Sequence, residues 1–161
     1  MERQYSEADK YWSSVDATID GMLGGFAAIS PADLQDSKKL LQLIYKLENC
    51  PGKNRGLDCG AGIGRITKNL LKRHLATVDL VEQNKNFIEA AVKYIGEDHQ
   101  GEFYHCGLQD FVPESGGYDI IWCQWVTGQL TDQHFVEFLQ RCGQGLTEHG
   151  VIVWKENLTS R

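Results

Sequence analysis

The residues best placed to do chemistry lie in the stretch Leu57-Asp58-Cys59-Gly60-Ala61-Gly62-Ile63-Gly64-Arg65. An apolar strand end runs into a glycine turn, and a helix starts at Ile66. Glycines allow a tight turn and a close approach of backbone to ligand, while a helix N-terminus offers unpaired N–H groups. A carboxylate, Glu82, follows 22 positions after Gly60, at the end of the apolar run Thr77-Val78-Asp79-Leu80-Val81. An acid about 20 residues on, at the tip of a second strand, is placed to accept hydrogen bonds from ribose hydroxyls. The pairing predicts a nucleoside cofactor. The competing reading is a glycine turn that only packs strand against helix.

Asp58 stands two residues before the first glycine, and no pyrophosphate-binding lysine follows. The form Asp-x-Gly-x-Gly-x-Gly resembles motif I of the class I S-adenosyl-L-methionine (SAM) methyltransferases more than a dinucleotide fingerprint.

These residues need a scaffold, and the pattern around them supplies one. Residues 5–14 read as a short helix carrying Tyr5, Tyr11 and Trp12, and the glycine-rich run 19–26 reads as a loop. Ser30-Pro31-Ala32-Asp33 has the form of a helix start, with a serine cap, proline at the first position and an early acid. Leu34, Leu40, Leu41, Ile44 and Leu47 then recur at helical spacing until Pro51-Gly52. Strands are predicted over 55–59, 76–81, 102–106, 118–124 and 150–154, and helices over 64–74, 86–95 and 132–143. Alternating apolar strands and helices mean a parallel sheet with helices on both faces, and a ligand outside the carboxyl ends of the strands. Glu82, Gln109 and Gln124 fall at or just after such ends.

The 161 residues are 42% hydrophobic and 24% charged, an ordinary globular composition, and fit one domain. A net charge of −6 and a pI of about 5.3 disfavour nucleic acid and suit a basic partner, or serve solubility alone. The five cysteines are odd in number, widely spaced and without a C-x-x-C, so most read as small core residues in a reducing compartment. There is no metal-ligand spacing, no span of ~18 apolar residues and no apolar N-terminal leader. The expectation is a soluble intracellular chain, cytoplasmic or nuclear, needing neither metal nor membrane.

Four blocks carry a closer resemblance. Asp20-Gly21-Met22-Leu23-Gly24-Gly25, Leu57 through Lys68, Cys106-Gly107-Leu108-Gln109-Asp110-Phe111, and Gln124-Trp125-Val126-x-Gly128-x-Leu130-Thr131-Asp132-Gln133-His134 look like the α-N-terminal protein methyltransferases. The resemblance implies an α/β fold: a Rossmann-like class I methyltransferase sheet with an N-terminal helical extension. It implies one domain over 1–161, with a helical cap and substrate loop over 1–50 and a C-terminally short core over 51–161. The family continues beyond Asn157, so the final strands are expected to be missing. The implied activity is SAM-dependent methylation of the free α-amine of proteins beginning X-Pro-Lys or X-Pro-Arg, with S-adenosyl-L-homocysteine as product.

Carried over by position, the resemblance gives Gly60 and Arg65 to the methionine part of SAM and places Gly62 among the cofactor-binding residues. Arg65 suits its carboxylate, since a guanidinium pairs in bidentate fashion. Glu82 falls to the ribose, where the family commonly has aspartate, and Gln83 and Asn84 are further cofactor-binding residues. Leu108 and Gln109 fall to the adenine region and Gln124 to the methionyl end. Met22, Leu23, Trp12 and Trp125 would form the substrate side, where aromatic faces suit a proline ring and a methylated ammonium. Trp12 reads equally as an anchor for its helix, and Trp122 and Trp154 read as core. Gln129 and Asn157 occupy the implied catalytic positions. The family usually has histidine at 129, and a glutamine cannot titrate. His134 is expected on a different face. The alternatives are a non-catalytic SAM-binding homologue that engages such termini or a catalytic partner, a small-molecule methyltransferase, and, last, a nicotinamide dehydrogenase.

Overall fold

The computed structural model describes residues 2–157. Five strands, β1 (Arg55–Cys59), β2 (Thr77–Glu82), β3 (Phe103–His105), β4 (Tyr118–Gln124) and β5 (Leu146–Lys155), form one sheet in the order β3-β2-β1-β4-β5, every pair parallel. Six α-helices accompany them: α1 (Glu2–Ser13), α2 (Ile19–Met22), α3 (Ser30–Ile44), α4 (Arg65–Asn69), α5 (Lys85–Ile95) and α6 (Asp132–Gly145). This is the Rossmann-like arrangement expected. The chain leaves β3 at one edge and crosses to β4 on the far side of β1, so the strand order reverses between β1 and β4. Ligands of open α/β sheets bind at that switch point.

Alternation along the strands separates two cores. Leu57, Cys59, Ile121 and Cys123 face one side, with Phe138 and Cys142 of α6 packed on them. Ile120 and Trp122 face the other, against Leu41 of α3 and Ile66, Leu70 and Leu71 around α4. Both faces are covered, as parallel strands require.

Several elements depart from expectation. The run 19–26 is not all loop: Thr18 caps a single turn, its hydroxyl accepting the Gly21 N–H at 3.0 Å. Ser30 does not cap α3; Ile29 holds that position and the Ser30 hydroxyl is turned inward. The leucine spacing of α3 holds in part: Leu41 is buried, and Leu34 and Ile44 pack against the same core. The buried face of the helix is Ser30, Asp33, Ser37 and Leu41, while Leu40, Leu43 and Leu47 are exposed. The helix predicted over 64–74 is two short pieces, α4 and a 3-10 turn at Leu71–Arg73. Trp122 is fully buried, but Trp154 on β5 is 58% exposed and is no core residue. Cys59, Cys123 and Cys142 are buried free thiols, whereas Cys50 and Cys106 are half-buried.

One carboxylate registers the N-terminal ends of the strands. Asp79 Oδ2 accepts from Arg55 Nε (3.0 Å) and Nη2 (2.8 Å) on β1 and from the Tyr118 hydroxyl (2.7 Å) on β4. Its Oδ1 accepts the Glu102 N–H at 2.9 Å, just before β3. Asp79 is 1% exposed, so its charge is held only by these donors. Asp79→Ala leaves Arg55 and Tyr118 without their acceptor and is expected to lower stability by about 3 kcal/mol. Urea denaturation checks this: the midpoint should fall with an unchanged slope.

Candidate active site

The glycine turn sits where β1 ends. Gly60, Gly62 and Gly64 have φ of 65°, 57° and 80°, a region that side chains other than glycine's enter at a cost. A Cβ at Gly60 would lie 2.2 Å from Val126, and one at Gly62 2.0 Å from the Met22 sulfur. The space beside these glycines is therefore filled by protein side chains. The turn's amides are also engaged. Gly60 and Ala61 N–H donate to the Val81 carbonyl, Gly62 N–H to Glu82 Oε2, Ile63 N–H to Met22 Sδ and Gly64 N–H to the Ala61 carbonyl. The amides of the turn itself, from Gly60 to Gly64, are thus engaged within the protein: the turn builds the cleft wall, and side chains carry the polarity.

That polarity is ordered. Glu82, at the tip of β2, is 7% exposed and accepts the N–H of Gly62 (2.9 Å) and of Asn84 (2.8 Å). Burial raises its pKa against those donors. A carboxylate offers about four acceptor positions, more than these amides use. Asp58, at 3% exposure, ties β1 to α4 by accepting the Thr67 N–H (3.1 Å) and hydroxyl (2.7 Å). At the far end Arg65, 4% exposed, donates through Nη1 to Asp33 Oδ2 at 2.9 Å and to the Ser30 hydroxyl at 3.2 Å.

The cleft between these ends, about 980 Å³ with its mouth, has the size of a small-molecule site. It is lined by Gly60, Gly62, Arg65, Glu82, Gln83, Leu108, Gln109 and Gln124, with Trp12, Met22, Leu23, Trp125 and Gln129 beside them. A shallower hollow opens next to it, lined by Trp12, Met22, Leu23, Trp125 and Asn157 among others. Of the predicted site residues, Asn84 alone is not brought to either. Its side chain caps α5, accepting the Asn86 and Phe87 N–H.

Five features were missed from the sequence. Asp33, from the polar face of α3, meets Arg65, Gln124 and Lys155; only its place in a helix first turn hinted at any role. Arg141 of α6 donates to the carbonyls of Leu108, Gln109 and Phe111 and so holds the loop after β3. Trp125 has φ of 56°, a left-handed conformation costing roughly 1–2 kcal/mol in a residue with a side chain. Trp12 Nε1 donates to Gln129 Oε1 at 3.0 Å, so the amide oxygen at 129 already has a donor. His134 lines neither hollow but meets one of the wall residues, its Nδ1 2.6 Å from the hydroxyl of Tyr5.

Burial pushes the Asp58 carboxyl up to about 6, against an ordinary 3.8. The folded state then binds a proton that the unfolded chain does not between those values, so this residue's contribution to stability grows as pH falls from 7 to 4. In Asp58→Asn the amide oxygen can keep both Thr67 bonds without titrating. The stability difference between the cofactor-free native chain and this variant should move toward the native chain by on the order of 2–3 kcal/mol over that interval. Denaturant titrations at several pH values measure it, and a flat difference refutes it.

The descriptions of known proteins agree with this geometry. A family described as AdoMet dependent proline di-methyltransferase matches residues 1–161. N-terminal Xaa-Pro-Lys N-methyltransferase 1 of Xenopus tropicalis is 51% identical over 159 residues, covering 96% of this chain and 71% of that protein. The Bos taurus protein of the same name is 50% identical over 157 residues, covering 96% of this chain and 70% of its own length. Among solved structures, a SAM-dependent methyltransferase from Leishmania major superposes with a TM-score of 0.91 at 40% identity, over 98% of this chain and 63% of that one. The chain thus spans somewhat under two thirds of the Leishmania chain's length. A phosphoethanolamine N-methyltransferase of Haemonchus contortus, solved with S-adenosylhomocysteine, shares the fold at a TM-score of 0.68 and 22% identity. The buried acid at the β2 tip, the guanidinium at the opposite end and the cleft between them fit SAM. With the family match running from the first residue to the last, the chain belongs to the AdoMet-dependent proline dimethyltransferase family.

Proposed function

We propose that this chain methylates the free α-amine of proteins that begin X-Pro-Lys or X-Pro-Arg. The observation that carries the reading is the continuity of the two hollows: Trp12, Met22, Leu23 and Trp125 line both, so the wall of the cofactor cleft is also the wall of its neighbour. The names of the Xenopus and Bos relatives, which specify N-terminal Xaa-Pro-Lys, support the substrate class. The acidic net charge of −6 suits a basic partner.

SAM, when bound, supplies a methyl group on a sulfonium, transferred to a nucleophile by in-line displacement. The protein's part is orientation. Glu82 would accept from the ribose hydroxyls and Arg65 would pair with the methionyl carboxylate, so the cofactor would be held at its middle and at its amino-acid end. Gln124 fixes the wall at the methionyl end. Leu108 and Gln109 close the adenine side, held by Arg141. The indoles of Trp12 and Trp125 offer faces to a proline ring and to the growing positive charge on nitrogen. The nucleophile needs its lone pair, and a free α-amine has a pKa of about 7.7–8.0, so a useful fraction arrives neutral. Gln129 holds no proton to exchange; its oxygen anchors Trp12.

A second reading, a SAM-binding homologue without catalysis, is favoured by that same glutamine. Intact-mass analysis of a Ser-Pro-Lys-Arg peptide incubated with the chain and SAM separates the two. The expected outcome is added methyl groups on the α-nitrogen, located by fragmentation, with a rate that rises between pH 6.5 and pH 8 as the substrate amine loses its proton. SAM binding by calorimetry with an unchanged peptide mass would establish the second reading instead.

A further inference from the structure

Asp33 draws three groups to one buried carboxylate. Oδ2 accepts from Arg65 Nη1 at 2.9 Å, and Gln124 Nε2 lies 2.9 Å from Oδ1 and 3.0 Å from Oδ2. Lys155 Nζ bonds Oδ1 and reaches the Ser37 hydroxyl at 3.0 Å. These donors come from α4, the end of β4 and the end of β5, and Asp33 comes from α3. Asp33 is 8% exposed and Arg65 4%, so water does little to hold either charge. Burial raises the Asp33 pKa, but the bonds from Lys155, Gln124 and Arg65 outweigh it and hold the carboxyl below the ordinary range. Two cations share one anion, which leaves the wall short of negative charge where a ligand carboxylate would add it. Both cations also stand over the Trp125 indole, Arg65 at 5.5 Å and Lys155 at 5.9 Å from the ring centre. The Trp125 N–H donates to the Lys155 carbonyl at 2.9 Å.

We propose that Asp33 is a positioning residue: it aims Arg65 and Gln124 at the carboxylate of the cofactor's amino-acid end and, through Lys155, seats Trp125 on the substrate side. The inference rests on the reading of the cleft as a SAM site. It makes a distinction that charge alone does not. Removing an anion near a bound carboxylate should tighten binding by electrostatics, whereas removing the residue that aims the guanidinium should weaken it.

The test uses the full chain and two ligands, S-adenosyl-L-homocysteine, which carries the amino-acid end, and 5′-methylthioadenosine, which lacks it. In Asp33→Asn the affinity for S-adenosyl-L-homocysteine should fall about tenfold or more, as expected for a lost charge-assisted pair. The affinity for 5′-methylthioadenosine should change less than about twofold, because Glu82 and the adenine loop are untouched. An equal loss for both ligands, no loss, or tighter binding of S-adenosyl-L-homocysteine overturns the proposal. Should Asp33→Asn fail to fold, Lys155→Met reads the same network from its half-exposed side. It should weaken S-adenosyl-L-homocysteine about threefold and spare 5′-methylthioadenosine, and parallel or absent losses overturn the proposal again. A native chain that binds neither ligand removes the cofactor reading and this proposal together. A native chain that binds both, with variants that do not discriminate, removes the proposal only.

Discussion

Parallel strands that share no hairpins must find their register through long-range contacts, and here a buried carboxylate does part of that. Asp79 bonds β1 through Arg55, β4 through Tyr118 and the approach to β3 through the Glu102 amide. A lone charge at 1% exposure is costly; one with four donors is bound to a single geometry. Each donor sits at or just before the start of its strand, so this end of the sheet is closed by polar pairing. The opposite, carboxyl ends of the strands carry the glycine turn, Glu82 and Gln124. At those ends β1 and β4 send their connections to opposite sides, and the cleft opens where the order reverses.

The cleft is polar by a different principle from the one that a glycine turn suggests. Backbone amides at the turn are satisfied within the protein, and the missing Cβ atoms of Gly60 and Gly62 make room for Val126 and Met22. Met22 is thereby keyed into the turn by both shape and a hydrogen bond, and it joins the segment after α1 to the end of β1. The polar side chains Glu82, Asp58 and Arg65 are expensive to bury in ionised form, and each is held by named partners. Asp58 illustrates the balance: two bonds from Thr67 lower its pKa less than burial raises it.

How much of this could be read in the sequence follows from which forces leave a local trace. The strands, α5, α6 and the acid at 82 were legible because alternation, helical period and the glycine-to-acid distance are local patterns. α3 was legible as a helix but only part of its inward face was. Counting leucines found Leu34, Leu41 and Ile44 but not the polar stripe beside them, Ser30, Asp33 and Ser37, drawn in by Arg65, Gln124 and Lys155 from as far as 122 positions away. No window of sequence contains that network. Trp125 was legible as a residue at a strand end, but its left-handed backbone, its bond to the Lys155 carbonyl and the cations above its ring leave no local trace. Trp154 reads as core by composition and is exposed because β5 has no neighbouring strand on its far side among the described residues. The family resemblance reached the cleft residues that periodicity could not, except Asn84, which caps α5 instead.

The glutamine at 129 gains its meaning from α1. A helix of 12 residues is marginal alone, and most of this one is exposed. It is held over the cleft by Gln4 and Trp12 bonding the backbone and side chain of Gln129, and by Tyr5 meeting His134. A neutral imidazole has one acceptor nitrogen. A histidine at 129 that accepted from the Trp12 indole would have no second nitrogen lone pair for a substrate proton, so taking that proton would mean releasing Trp12. Glutamine has no such conflict: its amide oxygen accepts from the indole and its side chain does not titrate, so the contact that holds Trp12 over the cleft does not depend on protonation at position 129.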